Sequence, residues 1–207
     1  MIFPPCNDTP LGIYPVVDRT DKLEPLYRCG ITTAQLRVKD LTGKTLENEI
    51  IQAIKISEQY HTRLFINDYW QLAIKHHAYG IHLGQEDIEE ADIRAIYHAG
   101  LRLGISTHTP EEIEIAMAFS PSYLAIGPIY PPISKKLLYP PVGPIQLKAW
   151  AAALPYPIVA IGGITQENIT DVTAVRVASG VAMISSVLEQ GEVSQSKTKA
   201  LIKAFTS

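Results

Sequence analysis

Cysteine is scarce in this chain. The 207 residues hold two, Cys6 and Cys29, at a separation that matches no metal-ligand or redox motif, which argues against a disulfide framework, a zinc ribbon or a thioredoxin-like centre. Free thiols of this kind fit a reducing compartment. Long hydrophobic runs are missing as well. No apolar stretch approaches the ~18 residues of a membrane span, and the opening Met-Ile-Phe-Pro-Pro-Cys carries neither a basic region nor an apolar segment of signal length. A cytoplasmic location with no membrane partner is the expectation. Neither sign of charge is in large excess, and a net charge of −3 gives no global attraction for nucleic acid. No Gly-x-Gly-x-x-Gly loop follows the first apolar run, which argues against a dinucleotide-binding doubly wound sheet.

With 46% apolar residues, the length suits one sizeable core rather than two. Short apolar or β-branched runs recur at Gly12–Val17, Thr32–Val38, Arg63–Ile66, Tyr79–Leu83, Leu101–Ile105, Tyr123–Ile126, Pro157–Ile161 and Val181–Ile184. Continuous rather than alternating apolarity suits strands covered on both faces, as in parallel sheets. Helical punctuation lies between the runs. Leu46, Ile50, Ile54 and Ser57 repeat on one face, Ile88–Ala99 ends at Gly100, and Thr109-Pro110-Glu111-Glu112 reads as an N-cap, a first-turn proline and a reciprocal glutamate. Further helices fit Tyr69–His77, Pro144–Ala153, Glu167–Val175 and Ser194–Phe205. Strict strand–helix alternation predicts a single-domain (β/α)8 barrel of the TIM type over residues 1–207. The proline-rich stretch 127–144 cannot be a helix or a central strand, so it is expected to form a loop over the barrel mouth.

Polar residues follow the strand runs repeatedly, and in a barrel these ends meet on one face. Strand alternation turns Gln35, Arg37 and Lys39 to one side, with Leu36 and Val38 on the other, which predicts a site for an anion. Asp68 and Asp87, at neighbouring strand ends, offer two carboxylates for a hard cation such as Mg²⁺, whose remaining ligands would be water and phosphate oxygens. The pair Gly162-Gly163 and the segment Ile184-Ser185 fall after the seventh and eighth runs, where barrels commonly bind phosphate. His82 and His108 are the only histidines near strand ends, and neither is assigned as a general base.

Taken in order, QLRVKD, FIND, HLGQED, GISTHT, AIGGI and MISS resemble the motif series of the thiamine-phosphate synthase family, from about Gly12 to Val187. The resemblance implies an enzyme of thiamine biosynthesis, a transferase that joins a hydroxymethylpyrimidine diphosphate to a thiazole phosphate and releases pyrophosphate by dissociative substitution. It implies that Gln35, Arg37, Lys39, Asn67, Ser106 and Lys135 hold the pyrimidine diphosphate, with Arg37, Lys39, Ser106 and Lys135 taking part in catalysis. It assigns Mg²⁺ to Asp68 and Asp87, and the thiazole phosphate to Ser134, Gly163, Ile184 and Ser185. A diphosphate carries roughly three negative charges by analogy with the ~−1.5 to −2 of a phosphomonoester. Three cations and a metal would match it. Small-molecule substrates are therefore the expected partners, and the composition leaves room for a homo-oligomer.

One departure stands out. After Gly127-Pro128-Ile129-Tyr130-Pro131 the family usually shows threonine, any residue, threonine, lysine, where this chain has Pro132, Ile133, Ser134 and Lys135. Pro132 lacks both a hydroxyl and a backbone N–H. Two alternatives follow from the same residues: a barrel that isomerises a thiazole phosphate as a tautomerase, and a binder of phosphate ligands without catalysis. The first needs a base just after Gly127, where Pro128 stands. The second has little need of Arg37, Lys39, Asp68 and Asp87.

Overall fold

In a computed structural model, residues 1–6, 9–131 and 139–207 are described. Eight parallel strands, β1 (Gly12–Val17), β2 (Thr33–Leu36), β3 (Arg63–Asn67), β4 (Gly80–Leu83), β5 (Arg102–Thr107), β6 (Tyr123–Ile126), β7 (Ile158–Ile161) and β8 (Ala178–Met183), pair in chain order. Parallel pairing of β8 with β1 closes the barrel. Helices occupy the connections: α1 (Leu23–Arg28), α2 (Gly43–Gln59), α3 (Trp70–Lys75), α4 (Gln85–Glu90), α5 (Ile93–His98), α6 (Pro110–Met117), α7 (Gly143–Ala151), α8 (Ile169–Ala174) and α9 (Gln195–Thr206). Each expected strand run overlaps one observed strand. None of these helices is long and apolar enough to cross a membrane.

Two apolar layers explain why the strands are apolar on both faces over most of their length. Outward residues such as Leu36, Leu64, Ile81, Leu103, Leu124 and Ile158 pack with buried helix residues including Ile50, Ile96, Ile113, Leu147 and Leu201. Inward residues Tyr14, Val16, Phe65, Tyr123, Ala125, Val159 and Ala182 fill the barrel itself. Phe65 meets the Tyr123 ring edge-on at 5.1 Å. Bulky rings fit because facing positions are glycine: a Cβ on Gly80 would lie 2.6 Å from Phe65 Cδ1, and one on Gly104 would lie 2.1 Å from Tyr123 Cζ.

Local chemistry altered two expected features. Ile88–Ala99 is two helices, since Ala91 is extended and the Asp92 carboxylate accepts from Ala95 N at 2.9 Å to start α5. Glu112 does not reach back to Thr109. Its Oε2 accepts instead from His108 N at 2.7 Å, while Thr109 caps α6 by accepting from Glu112 N. The helix α1 and a short antiparallel pair, Leu188–Glu189 with Glu192–Val193, have too few residues to show a period and were not foreseen.

The bottom of the barrel is sealed by Arg63, only 5% exposed. Its guanidinium donates to the carbonyls of Cys6, Thr9 and Pro10 at 3.1, 3.0 and 2.7 Å and to the hydroxyls of Thr9 and Thr32. Arg63→Ala leaves several carbonyls without donors and is expected to lower stability by about 3 kcal/mol, measured by urea unfolding. A loss below about 1 kcal/mol would mean that water replaces the guanidinium freely.

Candidate active site

Residues after β2 and β3 converge at the C-terminal mouth of the barrel. Gln35 is buried and points inward, where its Nε2 donates to the Tyr14 hydroxyl at 3.4 Å. Arg37 and Lys39 follow on the same side and are exposed, while Leu36 and Val38 are buried in the outer layer, as alternation predicts. Lys39 Nζ is ion-paired with Asp68 Oδ2. Asn67, the last residue of β3, donates from Nδ2 to Asp68 Oδ1 at 2.6 Å. Its own Oδ1 is buried without a partner among the described residues.

Asp68 occupies the left-handed region, with φ of 63°, a conformation that a short carboxylate tolerates better than most side chains. The turn is held because Asp68 N donates to His82 O at 3.0 Å and Asp68 O accepts from Trp70 N at 2.7 Å. Asp87 lies in the first turn of α4, where its Oδ2 accepts from Gly84 N at 3.1 Å. The two carboxylates thus stand at the ends of adjacent strands, as expected. No group of three or more metal-ligating side chains occurs among the described residues.

Ser106, on β5, is half-buried, and its Oγ lies 2.8 Å from His82 Nε2. His82 Nδ1 lies 2.7 Å from the Tyr123 hydroxyl, which lies 2.9 Å from that of Tyr14. Burial depresses the imidazole to about 4, with Arg37 pushing the same way and Asp87 opposing. His82 is therefore neutral at pH 7. Sequence reasoning left His82, Tyr14 and Tyr123 without a role. Alternation within β4 gives the inward direction of His82, but nothing along the chain indicates that a tyrosine two strands away meets it.

At the other part of the mouth, β7 ends in the turn Gly162-Gly163, with φ of 98° and 66°. Gly162 O accepts from Tyr130 N at 3.0 Å and Ile161 O accepts from Ile129 N at 2.9 Å, so the start of the proline-rich segment lies against this turn. Asn168 spans the turn, accepting from Thr165 N and donating to Gly163 O at 3.0 Å. Ser186 Oγ donates to Ile164 O at 2.8 Å and ties the loop after β8 to the loop after β7. Ile184 and Ser185 are exposed just beyond β8. At its far end, the proline-rich segment is anchored by Tyr139, whose ring stacks on His108 at 4.3 Å and whose hydroxyl donates to Glu112 at 3.0 Å. Pro132, Ser134 and Lys135 lie outside the described residues.

A family model described as thiamine monophosphate synthase matches residues 13–187. The chain belongs to the thiamine monophosphate synthase family. Curated relatives within it include the thiamine-phosphate synthase of Proteus mirabilis, 49% identical over 192 residues that cover 92% of this chain and 89% of the relative. The thiamine-phosphate synthase of Klebsiella pneumoniae is 48% identical over 191 residues, covering 92% and 90%. A solved structure, the thiamine phosphate pyrophosphorylase from Pyrococcus furiosus, shares the fold with a TM-score of 0.82 at 24% identity, over 95% of this chain and 96% of that one. The motif series read along the sequence therefore identified the family correctly.

Proposed function

We propose that this chain is the transferase of thiamine biosynthesis that joins a hydroxymethylpyrimidine diphosphate to a thiazole phosphate and releases pyrophosphate. The observation that carries the reading is the two-part mouth. One part presents Arg37, Lys39, Asn67, Asp68 and Asp87, and the other presents the Gly162-Gly163 turn, whose loop is tied at Ile164 to Ser186 in the loop that carries Ser185. A diphosphate suits the first and a monophosphate the second.

Gln35, Arg37, Lys39, Asn67, Ser106 and Lys135 hold the pyrimidine diphosphate in this reading. Ser134, Gly163, Ile184 and Ser185 hold the thiazole phosphate. Carbon–oxygen cleavage leaves charge on the departing diphosphate, and cations already in place stabilise that charge more than the ground state. The thiazole nitrogen then forms the new bond to carbon. No side-chain nucleophile is needed. Asp68 and Asp87 supply hard oxygen donors that suit Mg²⁺, a metal commonly held by one or two carboxylates together with substrate phosphates. When bound there, the ion would neutralise diphosphate charge. Pro128 carries no titratable group where a tautomerase base would stand, which favours the transferase.

The test is to mix purified protein with both substrates and Mg²⁺ and to follow pyrophosphate and thiamine phosphate together. Equal formation of the two is expected. Proton exchange on the thiazole phosphate without coupling would favour a tautomerase, and tight binding without turnover a binder.

A further inference from the structure

We propose that His82 and Tyr123 are positioning residues which fix the Ser106 hydroxyl as a hydrogen-bond donor toward the barrel mouth. The inference rests on the reading in which Ser106 touches the pyrimidine diphosphate. Its basis is a continuous polar path inside the barrel. Gln35, Tyr14, Tyr123, His82 and Ser106 come from β2, β1, β6, β4 and β5, and the path begins and ends on residues assigned to the same substrate.

Gly104 makes the path sterically feasible. His82, Gly104 and Tyr123 stand in register across β4, β5 and β6, and a side chain on Gly104 would occupy the space that the Tyr123 ring fills on its way to His82. A tyrosine there for packing alone would not require its hydroxyl to end 2.7 Å from one ring nitrogen and 2.9 Å from a second tyrosine.

Direction follows from counting protons. His82 is buried and each of its ring nitrogens meets a hydroxyl and no carboxylate, so one nitrogen carries the N–H and the other is bare, and the two bonds to His82 run in one sense. Gln35 places its amide N–H toward Tyr14. Tyr14 then donates to Tyr123, Tyr123 donates to His82 Nδ1, and His82 Nε2–H donates to Ser106 Oγ. Ser106 accepts within the barrel and keeps its own proton for the mouth. The reverse polarity would use that proton on His82, and would either turn the Gln35 carbonyl toward Tyr14 or leave the Tyr123 hydroxyl proton without an acceptor. Ser106 Oγ has no other hydrogen bond among the described residues, so the imidazole alone sets its orientation.

Two measurements decide the matter. Nitrogen NMR of the free protein, with His82 signals assigned by their loss in His82→Gln, is expected to show Nε2 protonated and Nδ1 bare; the opposite tautomer overturns the proposal. Kinetically, Tyr123→Phe keeps the ring and removes the donor, and is expected to lower kcat about tenfold while the thiazole phosphate KM stays within about twofold. Ser106→Ala should cost at least as much, and adding Tyr123→Phe to it should cost nothing more, because a residue acting through Ser106 has nothing left to position. Losses that multiply, or a Ser106→Ala variant as active as the parent, refute the proposal. If the parent itself forms no thiamine phosphate, the proposed reaction fails, and the tautomer still decides the direction of the path.

Discussion

Asp68→Asn is expected to lower the rate of pyrophosphate release on the order of 10²- to 10³-fold, the usual range when one preorganised electrostatic group is removed from a reacting site. Asparagine is the informative replacement because it tolerates the φ of 63° and can still accept from Asn67 Nδ2, so shape and turn survive. What disappears is the negative charge beside Lys39. In the proposed reaction that charge orients Lys39 before substrate arrives and supplies one ligand for Mg²⁺. The Mg²⁺ concentration giving half-maximal rate should therefore rise as well. Steady-state assays across a Mg²⁺ series, with thermal melts to confirm an intact fold, provide the test. A variant within about threefold of the parent at every Mg²⁺ concentration would remove Asp68 from the reaction.

Gly163→Ala should damage stability and thiazole phosphate binding together. A Cβ at this position would lie 2.6 Å from Tyr130 O and 2.7 Å from Tyr130 Cβ, and the residue sits at φ of 66°. Strain from the left-handed backbone is about 1 kcal/mol, and forcing a methyl into occupied space adds about 1 to 3 kcal/mol. The melting temperature should fall by on the order of 10 °C for a chain of this size. Relief by moving Tyr130 would disturb its bond to Gly162 O and so shift the segment that leads to Ser134 and Lys135. The thiazole phosphate KM is accordingly expected to rise about tenfold or more, with a smaller change for the pyrimidine diphosphate. Unchanged KM for the thiazole phosphate would mean that the Gly162-Gly163 turn serves folding alone.

Much of the barrel could be read along the chain because its signals are local. A parallel strand covered on both faces leaves an unbroken apolar run of 4 to 6 residues, as at Tyr123–Ile126 and Gly12–Val17, and tertiary structure changed only the ends of such runs. The polar residues just past them were legible for the same reason, since Lys39, Asp68, Asp87 and the Gly162-Gly163 turn each lie one or two steps beyond apolar sequence or in the next helical turn. Connections were read less well. A carboxylate at Asp92 divides a helix that looks continuous by period, because its side chain competes for the Ala95 N–H.

Strand number, helix alternation and the polarity of the strand ends belong to the order of the residues, because backbone periodicity and turn chemistry act over a few positions. Whether Lys39 meets Asp68, whether Asn67 keeps a buried acceptor open, and whether His82 is a packed side chain or part of a path from Gln35 to Ser106 all depended on closure. Tyr14 and Tyr123 are 109 residues apart and touch only because β8 returns to β1, setting the register that turns both rings into one interior. Burial there removes water and keeps His82 neutral. No local pattern encodes that interior. It exists only when eight strands from the whole chain exclude solvent together.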